Sequence, residues 1–203
     1  MSPPEPQDEP LFPVFLKLKG RRVLLVGAGP VAAQKYAALR EAQANVRVVA
    51  PEISPAFAAL GTDGAEVRLR AFEPADLDGV YYVVAAAPPA VNRAVTDAAE
   101  ARCLFVNAVD DLAAATAYAC ALVRRGPATI AISTGGEAPA LAGLLREGFE
   151  ALMPAEAPDW VAESKRLRDV WRAEKLPLPE RRPRLLQAIN ALYEGRLAKA
   201  PQP

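Results

Sequence analysis

Gly27-Ala28-Gly29-Pro30-Val31-Ala32 follows the apolar run Arg22-Val23-Leu24-Leu25-Val26 and leads into the helix-compatible stretch Ala33 to Arg40. Gly27 permits a tight turn, Gly29 lets backbone approach a pyrophosphate, and the small Ala32 lets a helix pack on the strand. The helix N-terminus would then point at the phosphates. The order strand, glycine turn, helix predicts a dinucleotide site, against the bland alternative of a glycine-punctuated structural turn. Such a site needs an acid after its second strand to hold the adenosine ribose, and Glu52 follows Val49-Ala50-Pro51 at about the expected 20 residues from the turn. An exposed acid opening a loop has the same signature. No arginine adjoins Glu52 in the sequence, which favours NAD over NADP.

A second group of chemical residues closes Val106-Asn107-Ala108-Val109-Asp110-Asp111. Two acids at the carboxyl end of a strand can do proton work, and they can equally be a helix cap or a solvated pair. Asn92 and Asn107 are side-chain amides that suit either a site or a cap. Ser133-Thr134-Gly135-Gly136-Glu137-Ala138-Pro139 offers hydroxyls and backbone amides at a strand-to-helix junction, fit for an anion or for capping. The chain has no histidine. Acid-base work therefore falls to carboxylate, tyrosine or lysine, and a resident metal loses its commonest ligand.

These residues need a scaffold to bring them together. Asn45 to Ala50, Glu66 to Arg70, Val80 to Ala86 and Leu104 to Ala108 read as further strands, with a helix over Val91 to Ala101 between the last two. Strands alternating with helices predict a parallel, Rossmann-like α/β sheet. Leu11 to Leu16 alternates and reads as a short strand, preceded by a proline- and acid-rich lead over 1–10. After Asp111 the pattern changes. Thr116 to Val123 and Thr129 to Ser133 read as strands joined at Arg124-Arg125-Gly126-Pro127, followed by a helix from Glu137 to Glu150. Amphipathic helices over Val161 to Arg168 and Arg184 to Tyr193 are set apart by Pro177, Pro179 and Pro183. The expected organisation is 11–112 for the nucleotide domain, 113–152 for a hairpin-plus-helix segment and 153–203 for a helical remainder.

The totals set limits. Lysine plus arginine and aspartate plus glutamate are 24 each in 203 residues, so no global field draws the chain to nucleic acid or an anionic membrane. The apolar runs are strand-length and the N-terminus lacks a basic start with an apolar core, so neither a membrane span nor export is expected. Cys103 and Cys120 have no CxxC spacing and lie in apolar runs, which predicts buried thiols and a cytoplasmic setting.

Taken in order, the glycine turn with Ala33-Gln34-Lys35, Val48-Val49-Ala50-Pro51, Val91-Asn92, Phe105 to Asp110 and Ile130 to Ala142 resemble the precorrin-2 dehydrogenase family, which includes the siroheme synthase N-terminal module. The resemblance covers about Leu11 to Leu152, and the opening Leu11-Phe12-Pro13-Val14-Phe15-Leu16 is similar too. It implies NAD-dependent oxidation of precorrin-2 to sirohydrochlorin, on a route to siroheme or cobalamin, with ferrous iron insertion at the same site in some members. It implies Asp110 as the acid-base residue, and Pro30, Val31, Pro51 and Glu52 as NAD contacts. For the polycarboxylated substrate, Arg124, Asn92, Asn107, Ser133 and Thr134 are the candidate binding residues, and Lys35, Arg125 and Arg146 are further available cations. The family's phosphorylatable serine falls on Thr134. Ala86-Ala87-Pro88-Pro89 stands where a Thr-Asp-rich turn is usual, and Cys120 where proline is usual. The resemblance further implies a homodimer joined through 113–152, with a tetrapyrrole site between that segment and the nucleotide domain. The readings that compete are a dehydrogenase that also acts as ferrochelatase and, in a different class, an NAD-sensing module.

Overall fold

The computed structural model describes residues 11–197; the expected flexible lead over 1–10 lies outside them. The chain divides into two compact units, 1–119 and 120–203.

In the first unit, β1 (Arg22–Val26), β2 (Asn45–Val49), β3 (Glu66–Arg68), β4 (Tyr82–Ala85) and β5 (Val106–Ala108) form one sheet in the order β3-β2-β1-β4-β5. Every pairing is parallel. The residues of β1 and β2 after the first are buried on both faces; the run in β1 is unbroken and apolar, while β2 carries the buried Arg47, which donates to Glu66 and to Asp76 O. One face packs against α1 (Pro30–Glu41), whose Ala32, Ala33, Tyr36 and Leu39 are its buried stripe, and against α2 (Pro55–Ala58) through Phe57. The other face packs against α3 (Pro89–Glu100) through Val95 and Ala99, and against a 3-10 turn over Pro74–Leu77. Helices on both faces make the doubly wound arrangement, as expected.

Register sets the functional edge. Val26 pairs with Val49 on one side and Ala85 on the other, and Ala85 pairs with Ala108, so four strands end at one level. The ladder then runs one step further: Gly27 N–H donates to Val49 O, Ala86 N–H to Val26 O and Val109 N–H to Ala85 O.

In the second unit, β6 (Ala121–Arg125) and β7 (Ala128–Ile132) form an antiparallel hairpin. Arg125 and Ala128 pair directly, so Gly126-Pro127 alone makes the turn, and Gly126 at φ 56 is the first central residue, where a II′ turn takes glycine. α4 (Pro139–Leu152) lies on the hairpin, tied by Arg125 to the Glu150 carboxylate at 3.3 Å and to its carbonyl at 3.2 Å. α5 (Ala157–Ala173) and α6 (Leu178–Leu197) follow.

Four expectations are corrected. Leu11 to Leu16 forms no strand: the sheet order has no place for it, Pro13 removes a ladder donor, and Leu11, Phe12, Val14, Phe15 and Leu16 are exposed. Thr116 to Ala119 is not part of the hairpin; Thr116 and Ala117 N–H both donate to Val106 O, so this stretch covers the edge of β5 instead. Cys103 and Cys120 are exposed rather than buried, because each stands in a connection just outside a strand. Pro183 lies inside α6 and does not separate helices, while Pro177 falls in the break before it.

Candidate active site at the carboxyl edge of the sheet

The strand order reverses about β1, and parallel sheets place ligands outside the carboxyl ends of the strands at such a switch point. The glycine turn leaves β1 there. Gly27 holds φ 104, and a Cβ on it would lie 2.7 Å from the Ala86 carbonyl carbon, so backbone packs directly on this residue. Gly29 is different: it is the N-cap of α1 at φ −78, and a Cβ on it would meet nothing within 4 Å. Open space in front of an uncapped helix N-terminus suits a pyrophosphate, because the first amides of α1 lack intrahelical partners and carry the positive end of the helix dipole. Pro30 takes the first helical position and loses no bond there, and Val31 beside it stays 41% exposed, so neither is taken up by the core. The residues present fit a dinucleotide.

Pro51 and Glu52 leave the end of β2 exposed, and Ser54 N–H donates to Ala28 O at 3.0 Å, which folds their loop back onto the glycine turn. Ser54 also caps α2, accepting from Phe57 N–H at 3.2 Å. The Ser-Pro pair at 54–55 was a readable cap signal in the sequence, but its tie to the glycine turn was not. Sheet pairing also brings an arginine that proximity in the sequence did not show: Ala50 N–H donates to Arg68 O, so β3 ends beside β2. The side chains of Arg68 and Arg70 are both taken up by Asp76, which is fully buried, at 2.6 and 2.7 Å.

Two strands away, Asp110 follows β5. Adjacent strands lie about 4.8 Å apart, so Val109 and Gly27, at one level across β4, are separated by roughly 10 Å. Asp110 holds φ 57, a left-handed conformation that aspartate tolerates better than most residues. Its neighbour is pinned from two sides, since Val109 N–H donates to Ala85 O and Val109 O accepts from the Asn92 side-chain amide at 3.3 Å. Asn92, 1% exposed, also accepts from Ala87 N–H at 3.0 Å, so one buried amide bridges the loops after β4 and β5. Asn107 donates to Ala117 O at 3.0 Å. The neighbouring Asp111 acts locally, accepting from Ala114 N–H at 3.1 Å and facing Arg93 at 3.8 Å. Among the described residues Asp110 makes neither a hydrogen bond nor an ion pair.

In the second unit, Ser133 Oγ accepts from Gly135 N–H at 3.2 Å and Thr134 O accepts from Glu137 N–H at 3.1 Å. Gly135 at φ 65 and Gly136 at φ 86 let the loop turn before α4. Arg124 lies exposed on β6. Among the described residues no group of acids and cysteines has metal-binding geometry, and no helix is long and apolar enough to cross a membrane.

Residues 14–121 match the family model described as putative NAD(P)-binding, and residues 125–152 match the one described as sirohaem biosynthesis protein central. The chain belongs to the putative NAD(P)-binding family. It is 40% identical to the siroheme synthase of Chromobacterium violaceum over 93% of its own length, which is 40% of that protein. It is 49% identical to siroheme synthase 1 of Cronobacter sakazakii over 71% of its length, which is 31% of the relative. The chain therefore spans between about a third and two-fifths of these curated relatives. Among solved structures, SirC, a precorrin-2 dehydrogenase, superposes with a TM-score of 0.69 at 26% identity, covering 88% of this chain and 89% of that one.

Proposed function

We propose that the chain is an NAD-dependent precorrin-2 dehydrogenase, forming sirohydrochlorin for siroheme or cobalamin synthesis. The observation that carries this reading is the placement of Asp110: a carboxylate without a hydrogen bond among the described residues, in a left-handed conformation, on the same sheet edge as the glycine turn. The likeness to SirC over most of both chains supports the choice of substrate.

In this reading Gly27, Gly29, Pro30 and Val31 hold the pyrophosphate, and Pro51 and Glu52 hold the adenosine side. Glu52 and the clamping of Arg68 and Arg70 by Asp76 favour NAD over NADP, because these guanidiniums of the neighbouring strand and its extension are already paired. When bound, NAD supplies the hydride acceptor. Dehydrogenation removes a hydride and a proton, and the Asp110 carboxylate oxygen accepts the proton and returns it to water. Asn92 holds the loop that carries Asp110. Arg124, Ser133 and Thr134 are the proposed donors to the substrate's carboxylates, whereas the Asn107 amide is committed to Ala117 O.

The proposal includes a homodimer joined through 113–152. Leu141, Leu144, Leu145, Phe149 and Leu152 of α4 are all exposed, which supports burial against a second copy. The compartment proposed is the cytoplasm, where the exposed Cys103 and Cys120 thiols stay reduced. The decisive experiment mixes protein, precorrin-2 and NAD and follows absorbance. Growth of both NADH and sirohydrochlorin supports the enzyme; binding of NAD with neither product identifies a sensing module instead.

A further inference from the structure

Tyr36 and Arg40 stand four residues apart on α1, so they share one face of its last turns. That face meets the amino end of β2 and the loop before β3 in a cavity of about 170 Å³, with Ala44, Val46 and Ala65 as its apolar wall. The glycine turn and Asp110 belong to the carboxyl edge of the same sheet, so this cavity is separate from the nucleotide site. Tyr36 is 1% exposed, with its ring tilted on Phe57 at 4.9 Å between centroids. Among the described residues its hydroxyl makes no hydrogen bond. No fully buried side-chain oxygen lacks a partner, so the phenol oxygen is reached from outside, and the space that Tyr36 lines is the cavity. A tyrosine this deeply packed normally spends its hydroxyl on a partner, and here the hydroxyl is left for whatever fills that space.

Two opposite charges frame the same space without closing on each other. Arg40 is anchored through Nη1, which donates to Leu60 O at 2.8 Å, and its guanidinium stands 5.7 Å from the Tyr36 ring centroid. Its Nε and Nη2 have no acceptor among the described residues. Asp63, half-buried on the cavity wall, makes neither a hydrogen bond nor an ion pair among them, so every Arg40 side-chain nitrogen lies more than 4.0 Å from its carboxylate. A free guanidinium fork takes a carboxylate in two parallel bonds, and a free carboxylate takes an ammonium. A cavity of this order accepts a molecule of benzene size, about six non-hydrogen atoms, which is the size of alanine. We propose that this cavity binds a zwitterionic α-amino acid with a small side chain. The ligand's carboxylate lies on Arg40 and accepts from the Tyr36 hydroxyl, its ammonium donates to Asp63, and its side chain rests on Ala44, Val46 and Ala65. The site stands whether or not the dehydrogenase reading does.

The test uses the full chain without NAD or tetrapyrrole, and L-alanine is the probe. Followed by amide NMR, L-alanine at millimolar concentration should move the Gly64 and Ala65 signals saturably. Acetate and ethylamine each carry one of its two charges, so each should bind about tenfold more weakly, the size of one lost charge-assisted contact. Tyr36→Phe and Asp63→Asn break no hydrogen bond or ion pair of the fold, so both should keep the wild-type unfolding midpoint. Each should weaken L-alanine by about tenfold for the same reason. Absence of a saturable shift in wild type would overturn the site and leave the cavity to water. Acetate binding as tightly as L-alanine, with Asp63→Asn without effect, would overturn the zwitterion assignment. L-alanine binding unchanged in both variants would move the contact elsewhere and overturn the proposal as well.

Discussion

Asp110 offers an informative substitution because its backbone conformation restricts what can replace it. Asparagine tolerates φ 57 as aspartate does, whereas alanine adds backbone strain of about 1 kcal/mol to the loss of the carboxylate. Asp110→Asn should therefore fold with wild-type stability, bind NAD normally and lose precorrin-2 oxidation by about a hundredfold to ten-thousandfold, the range for a lost proton-transfer group. Turnover near wild type would remove the catalytic role. The two glycines of the turn should separate in the same way. Gly29→Val meets open space and an ordinary φ, so the chain should fold while NAD no longer quenches its fluorescence. Gly27→Ala drives a methyl into the Ala86 backbone from a φ of 104, so it should lower the unfolding midpoint before any question of binding arises. Spacing marked both glycines in the sequence. It did not mark which one is structural, because Ala86 follows a strand some sixty residues away. Nor did the sequence show the strain at Asp110, since it depends on where Asn92 pins the loop after β5.

At the scale of elements, the short edge strand β3 is fastened by charge rather than by apolar packing. Arg47 donates to Glu66 at 2.9 Å and to Asp76 O at 2.7 Å, while Arg68 and Arg70 converge on the buried Asp76 carboxylate. Burial alone would raise the Asp76 pKa, but hydrogen bonds from Arg70, from Glu73 N–H and from Arg68 outweigh it and hold the group at about 2. A folded pKa below the ordinary 3.8 means that the unfolded chain binds the proton more tightly. The contribution is thus complete above about pH 4 and is lost as pH falls toward 2, and it amounts to about 2 kcal/mol. Asp76→Asn should lower the urea midpoint at pH 7, and the difference from wild type should shrink on acidification through that window. A constant difference would show that Asp76 contributes shape and not charge. The buried strands β1 and β4 were legible because their apolar runs are continuous, and β2 because valines flank its single arginine. Leu11 to Leu16 carries as good an alternation, but alternation reports only that one face of a segment is apolar. Whether a strand forms depends on a free sheet edge, and the edges here belong to β3 and to β5, the latter covered by Thr116 and Ala117. The proline in α6 misled for a related reason: Pro183 costs one backbone bond, which the rest of a 20-residue helix outweighs.

For the molecule as a whole, the open question is what covers α4. Leu141, Leu144, Leu145, Phe149 and Leu152 recur at helical spacing, and each remains between 39% and 77% exposed, although a helix of this apolar character is normally buried along one stripe. The hairpin beneath it takes only Ala142 and part of the adjoining face out of water. The hairpin, α5 and α6 of the same unit leave this stripe uncovered among the described residues, and a second copy offers the same unfilled face. Light scattering at micromolar concentration should therefore give twice the chain mass. Leu145→Glu places a charge on the face in question and changes no residue of the nucleotide-binding unit, so it should shift the population toward monomer while NAD binding stays at its wild-type value. A wild-type monomer would return α4 to a surface helix with some other cover. A Leu145→Glu variant that remained fully dimeric would move the contact away from this stripe, leaving the exposed Phe12 and Phe15 of the N-terminal segment as the next face to charge.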